Sequence, residues 1–241
     1  MNNPSPWNIF PSFLVHLRNL NFPYINFTEI QKHLQGLFTY STLKTYLSRA
    51  QSSGLIYDAG KGWYSNIKDP FILDAKPIKK IVEYLEKSFP LLDFQCWTTA
   101  QINAYTQHML AKHVTFVYAE SDAIDPVAES LRSNGYIVFA NPTKTEVEKS
   151  FRVDDRSVVV RPSISKQPQG EDHIAPIEKI LVDLVVETAA LKFIDESEAR
   201  LIVENAAAAG RVKIASLLGY AKRRLVDFSS IITINQVQTN K

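Results

Sequence analysis

The sequence predicts a mixed α/β chain in which a helical N-terminal unit with a small β-hairpin precedes an α/β domain with a helical C-terminal end. Three observations favour this α+β or α/β fold class. Apolar residues keep a helical period as far as Gly54, strand-like and helix-like segments alternate after Pro90, and helical stripes return from Ile177 onwards. The 241 residues are enough for one large domain or two small ones.

The first two helices are short and lie before residue 37. Phe13 and the leucines that follow it at helical spacing predict a helix over about residues 11–20. The stretch Thr-Glu-Ile-Gln is typical of a capping box, with Thr28 as the N-cap and Gln31 reaching back to it. It predicts a second helix over about residues 29–36.

The third helix has two chemically different faces. It is predicted to begin at Ser41 or Thr42 and to end before Gly54, which suits a left-handed C-terminal cap. At about 100° per residue, one face is apolar and consists of Leu43, Tyr46, Leu47 and Ala50. The opposite face is polar and, with Arg49 on its flank, consists of Ser41, Lys44, Thr45, Ser48 and Ser52.

A small hairpin follows this helix at once. Two strands, Leu55–Tyr57 and Trp63–Ser65, are joined by a turn over Asp58–Gly62 that places Lys61 between two glycines. Three short helices followed by such a hairpin are the plan of a winged helix-turn-helix domain, here over residues 1–67. In that plan the third helix enters the major groove of DNA, and the hairpin contacts the backbone or the minor groove.

The residue types of this unit suit contacts with double-stranded DNA. Hydroxyl and amino groups pair with base edges in the major groove, and a lysine between glycines approaches a phosphate closely. Residues 1–67 carry five basic and two acidic side chains, whereas the remainder has a net charge of −1. The candidate DNA-binding residues are Ser41, Thr42, Lys44, Thr45, Ser48, Arg49 and Lys61.

Two other interpretations of the N-terminal unit stay open. A solvated helix face has the same polar composition, and a winged helix also serves to bind protein or RNA. One copy alone would give weak specific affinity for DNA, so we expect a homodimer on DNA or a second contact surface.

The second domain is predicted over residues 77–241, after a proline-containing linker at residues 68–76. A helix near Ile78 is followed by strands predicted at Phe94–Thr98, Val114–Ala119, Tyr136–Ala140 and Ser157–Arg161. Helical segments are predicted between the strands near residues 99–110, 126–133 and 144–150. After them, apolar stripes over 177–184 and 214–225 predict two helices, and Asp195 with Glu198 predicts the start of another between them. Asp125 before Pro126 is typical of a helix start.

The residues of the second domain do not predict an enzyme. The five histidines are scattered, Cys96 is the single cysteine, and no phosphate-binding glycine loop or nucleophile motif occurs. Glu120, Asp122 and Asp125 follow a strand, but Asp125 is better explained as a helix cap. We therefore assign no catalytic residue, metal or cofactor. A nuclease-like enzyme that uses the winged helix for delivery to nucleic acid remains the alternative.

A basic run near the C-terminus is a candidate second contact surface for nucleic acid or a partner. It consists of Lys213, Lys222, Arg223 and Arg224. The simpler interpretation is a solvated helix face whose cations suit the C-terminal end of the helix dipole.

The composition predicts a cytoplasmic protein without a membrane segment. A single cysteine excludes an internal disulfide and fits a reducing compartment. No apolar run approaches the ~20 residues that a membrane-spanning helix needs, and the N-terminus lacks the pattern of a signal peptide.

Two segments resemble AbiEi-type antitoxins of bacterial abortive-infection (type IV) toxin–antitoxin systems. The stretch LSRAQSSGLIYDAGKGWYS, residues 47–65, resembles the end of their N-terminal winged helix. The stretch SVVVRPSIS…APIEKILVDLVVE, residues 157–187, resembles the strand and the Pro-x-Glu-Lys-x-Leu-x-Asp helix of their C-terminal domain. The similarity follows most of the chain in order.

The resemblance implies two functions for one non-enzymatic protein. Its N-terminal domain would act as a transcriptional repressor of its own operon by binding repeats in the promoter. Its C-terminal domain would counteract a toxin of the nucleotidyltransferase type, and the resemblance leaves open whether the two proteins touch.

Overall fold

The computed structural model describes residues 6–228. The helices are α1 (Pro6–Asn19), α2 (Phe27–His33), α3 (Tyr40–Ser52), α4 (Lys79–Ser88), α5 (Ile124–Ser133), α6 (Lys144–Ser150), α7 (Ile177–Leu191), α8 (Glu196–Ala209) and α9 (Ile214–Arg223). The strands are β1 (Tyr24–Asn26), β2 (Tyr57–Asp58), β3 (Trp63–Ser65), β4 (Phe94–Thr98), β5 (Val114–Ala119), β6 (Ile137–Ala140) and β7 (Ser157–Pro162). None of the helices between residues 6 and 228 has the length and apolar character needed to cross a bilayer.

The chain forms two compact units, and the first combines residues that are distant in sequence. Among the described residues it contains 6–71, 207–218 and 227–228, whereas the second contains Ile72–Ala206 and Gly219–Val226. The sequence alone predicts that residues 207–218 belong to the second domain, because a helical stripe does not show which unit it packs against. The structure places them in the first unit.

The first unit contains a three-stranded antiparallel sheet in the order β1-β3-β2. Ile25 pairs with Tyr64, and Tyr57 pairs with Ser65. Strand β1 was not predicted, because three residues are too few to show an alternating pattern. Helices α1, α2 and α3 share an apolar core with the sheet, made of Phe10, Phe13, Leu17, Phe22, Ile25, Ile30, Leu34, Leu43, Leu47, Ala50 and Ile56.

The predicted capping box before α2 is wrong. The helix begins at Phe27, and the Asn26 side chain accepts the Glu29 N–H at 2.8 Å. Thr28 therefore lies inside the first turn. Asparagine and threonine are both good N-caps, so the residue that ends β1 decides where the helix begins.

Residues 207–212 are held in the first unit by a buried tyrosine. The Tyr24 hydroxyl lies 3.0 Å from the Ala207 carbonyl oxygen and 3.2 Å from that of Gly210. It accepts a hydrogen bond from the Val212 N–H at 3.0 Å. One side chain thus pairs backbone groups that would otherwise be buried without partners.

A short backbone ladder adds to this connection. The Arg211 N–H donates to the Asp69 carbonyl at 2.8 Å, and the Phe71 N–H donates to the Arg211 carbonyl at 2.9 Å. The Arg211 guanidinium donates to the Ile67 carbonyl at 3.0 Å. The residues that follow the hairpin, predicted to be a free linker, are therefore partly paired.

The second unit is built on a four-stranded mixed sheet in the order β4-β5-β7-β6. Strands β5, β7 and β6 are parallel, and β4 is antiparallel to β5. All residues of β4 are buried. Helices α4 and α5 cover the apolar core around Leu85, Val117, Val127 and Leu131.

Two predicted helical segments differ from the structure. Residues Thr99–Tyr105 form a 3₁₀ helix, and residues 106–110 are not helical. Helix α5 begins at Ile124, so Asp125 lies in its first turn and does not cap it. A 3₁₀ turn over Ser121–Ala123 leads directly into α5. The helix therefore begins one residue before the Asp125-Pro126 pair.

We predict that Tyr24→Phe lowers the free energy of unfolding by about 1–3 kcal/mol, because the buried Val212 N–H loses its acceptor. Urea unfolding followed by circular dichroism measures this change. Tyr57→Phe is the matched control, since its hydroxyl bonds the exposed Gly54 carbonyl, and we expect a change below about 0.5 kcal/mol. Equal losses in the two variants would contradict the anchoring role of Tyr24.

Candidate nucleic-acid interface

Helix α3 separates its two faces as its sequence predicts. Leu43, Leu47 and Ala50 are buried, and Tyr46 is half-buried. The polar residues on the opposite side and flank are exposed, namely Ser41, Lys44, Thr45, Ser48 and Arg49. The helix therefore presents hydroxyl, amino and guanidinium groups outward along its first three turns.

The hydroxyl groups of α3 are not equivalent. Thr39 caps the helix by accepting the Thr42 N–H at 3.2 Å, and the two threonine hydroxyls lie 2.8 Å apart. Thr42 is half-buried and belongs to this cap. The Thr45 hydroxyl donates to the Ser41 carbonyl at 3.0 Å, so its oxygen remains as an acceptor. Ser48 projects into solvent with its hydroxyl unbonded within residues 6–228.

The two cations of α3 lie over aromatic rings. Lys44 Nζ is 4.5 Å from the centroid of the Tyr40 ring, and Arg49 Cζ is 4.2 Å from that of Phe10. Such contacts hold a cation at a defined place on the surface and add about 0.5–1 kcal/mol at exposed sites. Both side chains keep their charge directed toward solvent.

The turn of the hairpin is fixed on both sides of Lys61. Gly60 and Gly62 have φ angles of +101° and +74°, which favour glycine. The Gly62 carbonyl accepts the Phe27 N–H at 2.8 Å. A Cβ at Gly60 would lie 2.7 Å from the Cβ of Ala215. Lys61 is exposed at this anchored tip.

The lysine of α3 and the hairpin lie within electrostatic reach of each other. Burial raises the pKa of the Tyr64 hydroxyl on β3, Asp58 raises it further, and Lys44 opposes the rise. Lys44 of α3 therefore lies close enough to strand β3 of the hairpin to act on the Tyr64 hydroxyl.

The C-terminal basic residues do not share one environment. Lys213 belongs to the first unit, and the other three belong to the second. Lys222 and Arg223 are exposed, and Arg223 donates to the Lys166 carbonyl at 2.6 Å. The Arg224 side chain is only 11% exposed and is bound by carboxylates. The structure thus removes Arg224 from the predicted surface.

Arg224 belongs to a buried charge cluster centred on Asp183 of α7. Lys179 Nζ lies 2.6 Å from Asp183 Oδ2, and both side chains have no exposed surface. Arg224 Nη1 lies 2.9 Å from Asp183 Oδ1, and the Tyr220 hydroxyl donates to the same oxygen at 2.8 Å. Both carboxylate oxygens are therefore satisfied.

Glu187, one turn further along α7, extends the cluster. Arg161 Nη2 on β7 lies 3.0 Å from Glu187 Oε2, and Arg224 Nη2 lies 3.5 Å from Oε1. The Tyr118 hydroxyl on β5 donates to Oε1 at 3.2 Å. Lys179 Nζ lies 3.5 Å from the centroid of the Tyr118 ring. The cluster thus joins α7 and the end of α9 to two central strands.

The cluster has more cationic than anionic groups. Arg161, Lys179 and Arg224 face the two carboxylates of Asp183 and Glu187. Burial lowers the pKa of Lys179, and Asp183 counteracts part of that fall. Burial also opposes the charge of Arg224, but Asp183 together with Tyr118, Tyr220 and Glu187 outweighs it, so the pKa of the guanidinium is raised.

The cluster is not among the residues predicted to be functional, although the chain contains a signal for it. Lys179, Asp183 and Glu187 recur every four residues, so they share one face of α7. Leu217, Tyr220 and Ala221 lie on the buried face of α9, and Arg224 directly after the helix continues their helical spacing. A charged residue on an apolar stripe predicts a buried ion pair better than it predicts a surface contact.

Most of the chain matches a known protein family. A family of unknown function, DUF6577, matches residues 42–238, from the start of α3 onwards. No curated protein matches this chain.

We predict that Asp183→Asn lowers the free energy of unfolding by about 3–5 kcal/mol, because it leaves buried cations without a counter-charge. Lys179→Met is the comparison variant, since it leaves two arginines facing two carboxylates and fills a similar volume. Its loss of stability should be smaller, as measured by chemical denaturation. A larger loss for Lys179→Met would contradict the central role of the Asp183 carboxylate.

Proposed function

This chain belongs to the DUF6577 family, and we propose that it is a DNA-binding transcriptional regulator that acts as the antitoxin of a toxin–antitoxin pair. Its first unit is a winged helix-turn-helix domain that binds repeats in its own promoter. Its second unit counteracts a toxin of the nucleotidyltransferase type. The exposed polar face of α3, together with the anchored Lys61, is the observation that carries the DNA-binding part.

The dimensions of α3 support insertion into the major groove. A helix of 13 residues is about 20 Å long at 1.5 Å per residue, and the major groove of B-DNA is about 12 Å wide and admits one α-helix. Ser41, Thr45 and Ser48 lie along one side of the first three turns. Thr45 and Ser48 offer acceptor and donor groups to base edges, while Lys44 beside them reaches the phosphate backbone.

The hairpin supports a second contact with the backbone. Lys61 is exposed between two glycines that are both fixed by neighbours, Gly60 by Ala215 and Gly62 by the Phe27 N–H. Because the turn is rigid, only the lysine side chain, and not the backbone of the turn, has to be ordered when it binds a phosphate. The wing of the proposed domain is therefore β2 and β3 with Lys61 at its tip.

The antitoxin part of the proposal relies on the second unit. The motif that resembles AbiEi-type antitoxins supplies Lys179 and Asp183, and these residues bind each other in the core. These two residues of the motif therefore stabilise the fold of the second unit. In the proposal, the unit counteracts the toxin through other residues, which are exposed. Co-expression with the neighbouring gene tests this part independently of DNA binding: growth rescue supports it, and unchanged toxicity overturns it.

We predict that Lys61→Ala weakens binding to every duplex and reduces the salt dependence by about one phosphate contact. Fluorescence anisotropy with a labelled fragment of the upstream region, repeated at several salt concentrations, measures both effects. Lys80→Ala is the control, because Lys80 is exposed on α4 of the other unit and its loss changes the net charge equally. Unchanged affinity and slope for Lys61→Ala would remove the hairpin from the interface.

We predict that the double change Thr45→Ala with Ser48→Ala abolishes discrimination between promoter and unrelated DNA, because each lost base contact costs about 1–3 kcal/mol. Stability should change little, since both side chains are exposed. Ser52→Ala is the matched control, as Ser52 bonds the Ser48 carbonyl in the last turn of the same helix. Promoter repression should fall while growth rescue persists. Retained repression at normal protein levels would refute this placement of α3.

A further inference from the structure

The second unit contains a pocket that is separate from the proposed DNA-binding surface. It has a volume of about 650 Å³ and is lined by α6, the segment after it, the end of β7 and the C-terminal end of α7. Pro142 follows β6, and Arg161 is the penultimate residue of β7. The pocket therefore opens at the carboxyl ends of two parallel strands, which is the edge where open α/β sheets bind ligands.

Positive charge predominates in the pocket lining. Lys144, Arg152 and Lys192 contribute cations, and Glu148 contributes one carboxylate. Within residues 6–228, none of these three cations forms an ion pair with a protein carboxylate. A site in which cations outnumber carboxylates, and in which these three cations are not paired with one, favours a ligand with more than one negative charge.

The buried charge cluster adds to this field. Arg161 lines the pocket and also binds Glu187 in the cluster, where three cations face two carboxylates. Its remaining guanidinium bonds go to Asn141 Oδ1 and the Pro142 carbonyl, each at 3.2 Å. Arg161 is thus held rigidly at the boundary between core and pocket. Its charge acts on a ligand there, and its side chain loses no further conformational entropy when the ligand binds.

Apolar side chains form the rest of the lining. Val147, Val153, Leu191 and Phe193 belong to it, and the Phe193 ring packs 5.8 Å from that of Phe116. The volume lies within the range of about 300–1,000 Å³ that is usual for small-molecule sites. The pocket combines a cationic side with an aromatic and aliphatic side.

We propose that this pocket binds a small organic phosphate with two negative charges, of the size of a nucleoside monophosphate. The phosphate is held by Lys144 and Lys192 with Arg152, and the organic body packs against Phe193 and the aliphatic residues. The proposal concerns the second unit alone and does not depend on DNA or toxin binding.

Calorimetric titration of the full chain with AMP and GMP tests this site, with adenosine and inorganic phosphate as ligand controls. We expect both monophosphates to bind, adenosine to give no heat, and inorganic phosphate to bind more weakly. Lys144→Gln and Lys192→Gln should each weaken monophosphate binding by about tenfold, the effect of one charge-assisted contact. Thermal unfolding shows whether each variant is folded. If Lys192→Gln is not folded, the affinity of Lys144→Gln alone tests the proposal.

Two control variants locate the site. Lys149→Gln removes an equal charge from the same helix α6 outside the pocket lining, and Lys61→Ala removes one from the hairpin; neither should change monophosphate affinity. A loss of affinity in either variant overturns the proposal, and so does the absence of binding at millimolar ligand. Inorganic phosphate that binds as tightly as AMP also overturns it, because the apolar side of the pocket would then contribute nothing.

Discussion

The fully buried carboxylate of Asp183 is the constraint on which the second unit depends. A buried carboxylate is tolerated only when paired and hydrogen-bonded, and here Lys179, Tyr220 and Arg224 supply those partners. The end of α9 must therefore lie against α7, so Arg224 is drawn away from solvent. Through Glu187 the same cluster fixes Arg161, which places a rigid cation beside the pocket at the end of β7.

The first unit depends on a different kind of interaction, the pairing of backbone groups from distant parts of the chain. Tyr24 satisfies backbone atoms of residues 207–212, and Gly60 packs against Ala215. The hairpin that carries Lys61 is thus supported by residues about 150 positions later in the sequence, since the Ala59 carbonyl also accepts the Ala215 N–H at 3.2 Å. A fragment that begins at residue 77 would leave these groups without partners. Point variants, which keep both units intact, therefore separate the two proposed activities more cleanly than truncation.

The periodicity of apolar residues predicts those helices and strands that depend on a local pattern. It does not predict features that depend on residues far away in the sequence. The apolar face of α3 and the four strands of the larger sheet follow from spacing that extends over several residues. Strand β1 has only three residues, and its partner β3 lies about 40 positions away, so no local pattern defines it. The starts of α2 and α5 were misplaced because adjacent signals compete. The charge of the basic run predicts that Arg224 lies on a surface. Its helical spacing from the buried residues of α9 instead predicts that it lies in the core.

Burial divides the cations of this chain into two classes that respond differently to salt. Lys44 and Lys61 are exposed, so their attraction to DNA is screened and includes the release of counterions from each neutralised phosphate. In the pocket, Arg161 is largely buried and its field is screened much less, whereas Lys144, Arg152 and Lys192 are exposed and are screened as Lys44 and Lys61 are. A free monophosphate also lacks the condensed counterions of a duplex. Affinity for DNA should therefore fall much more steeply with salt than affinity for a ligand in the pocket, and a comparison of the two slopes in one protein assigns each binding event to its own unit.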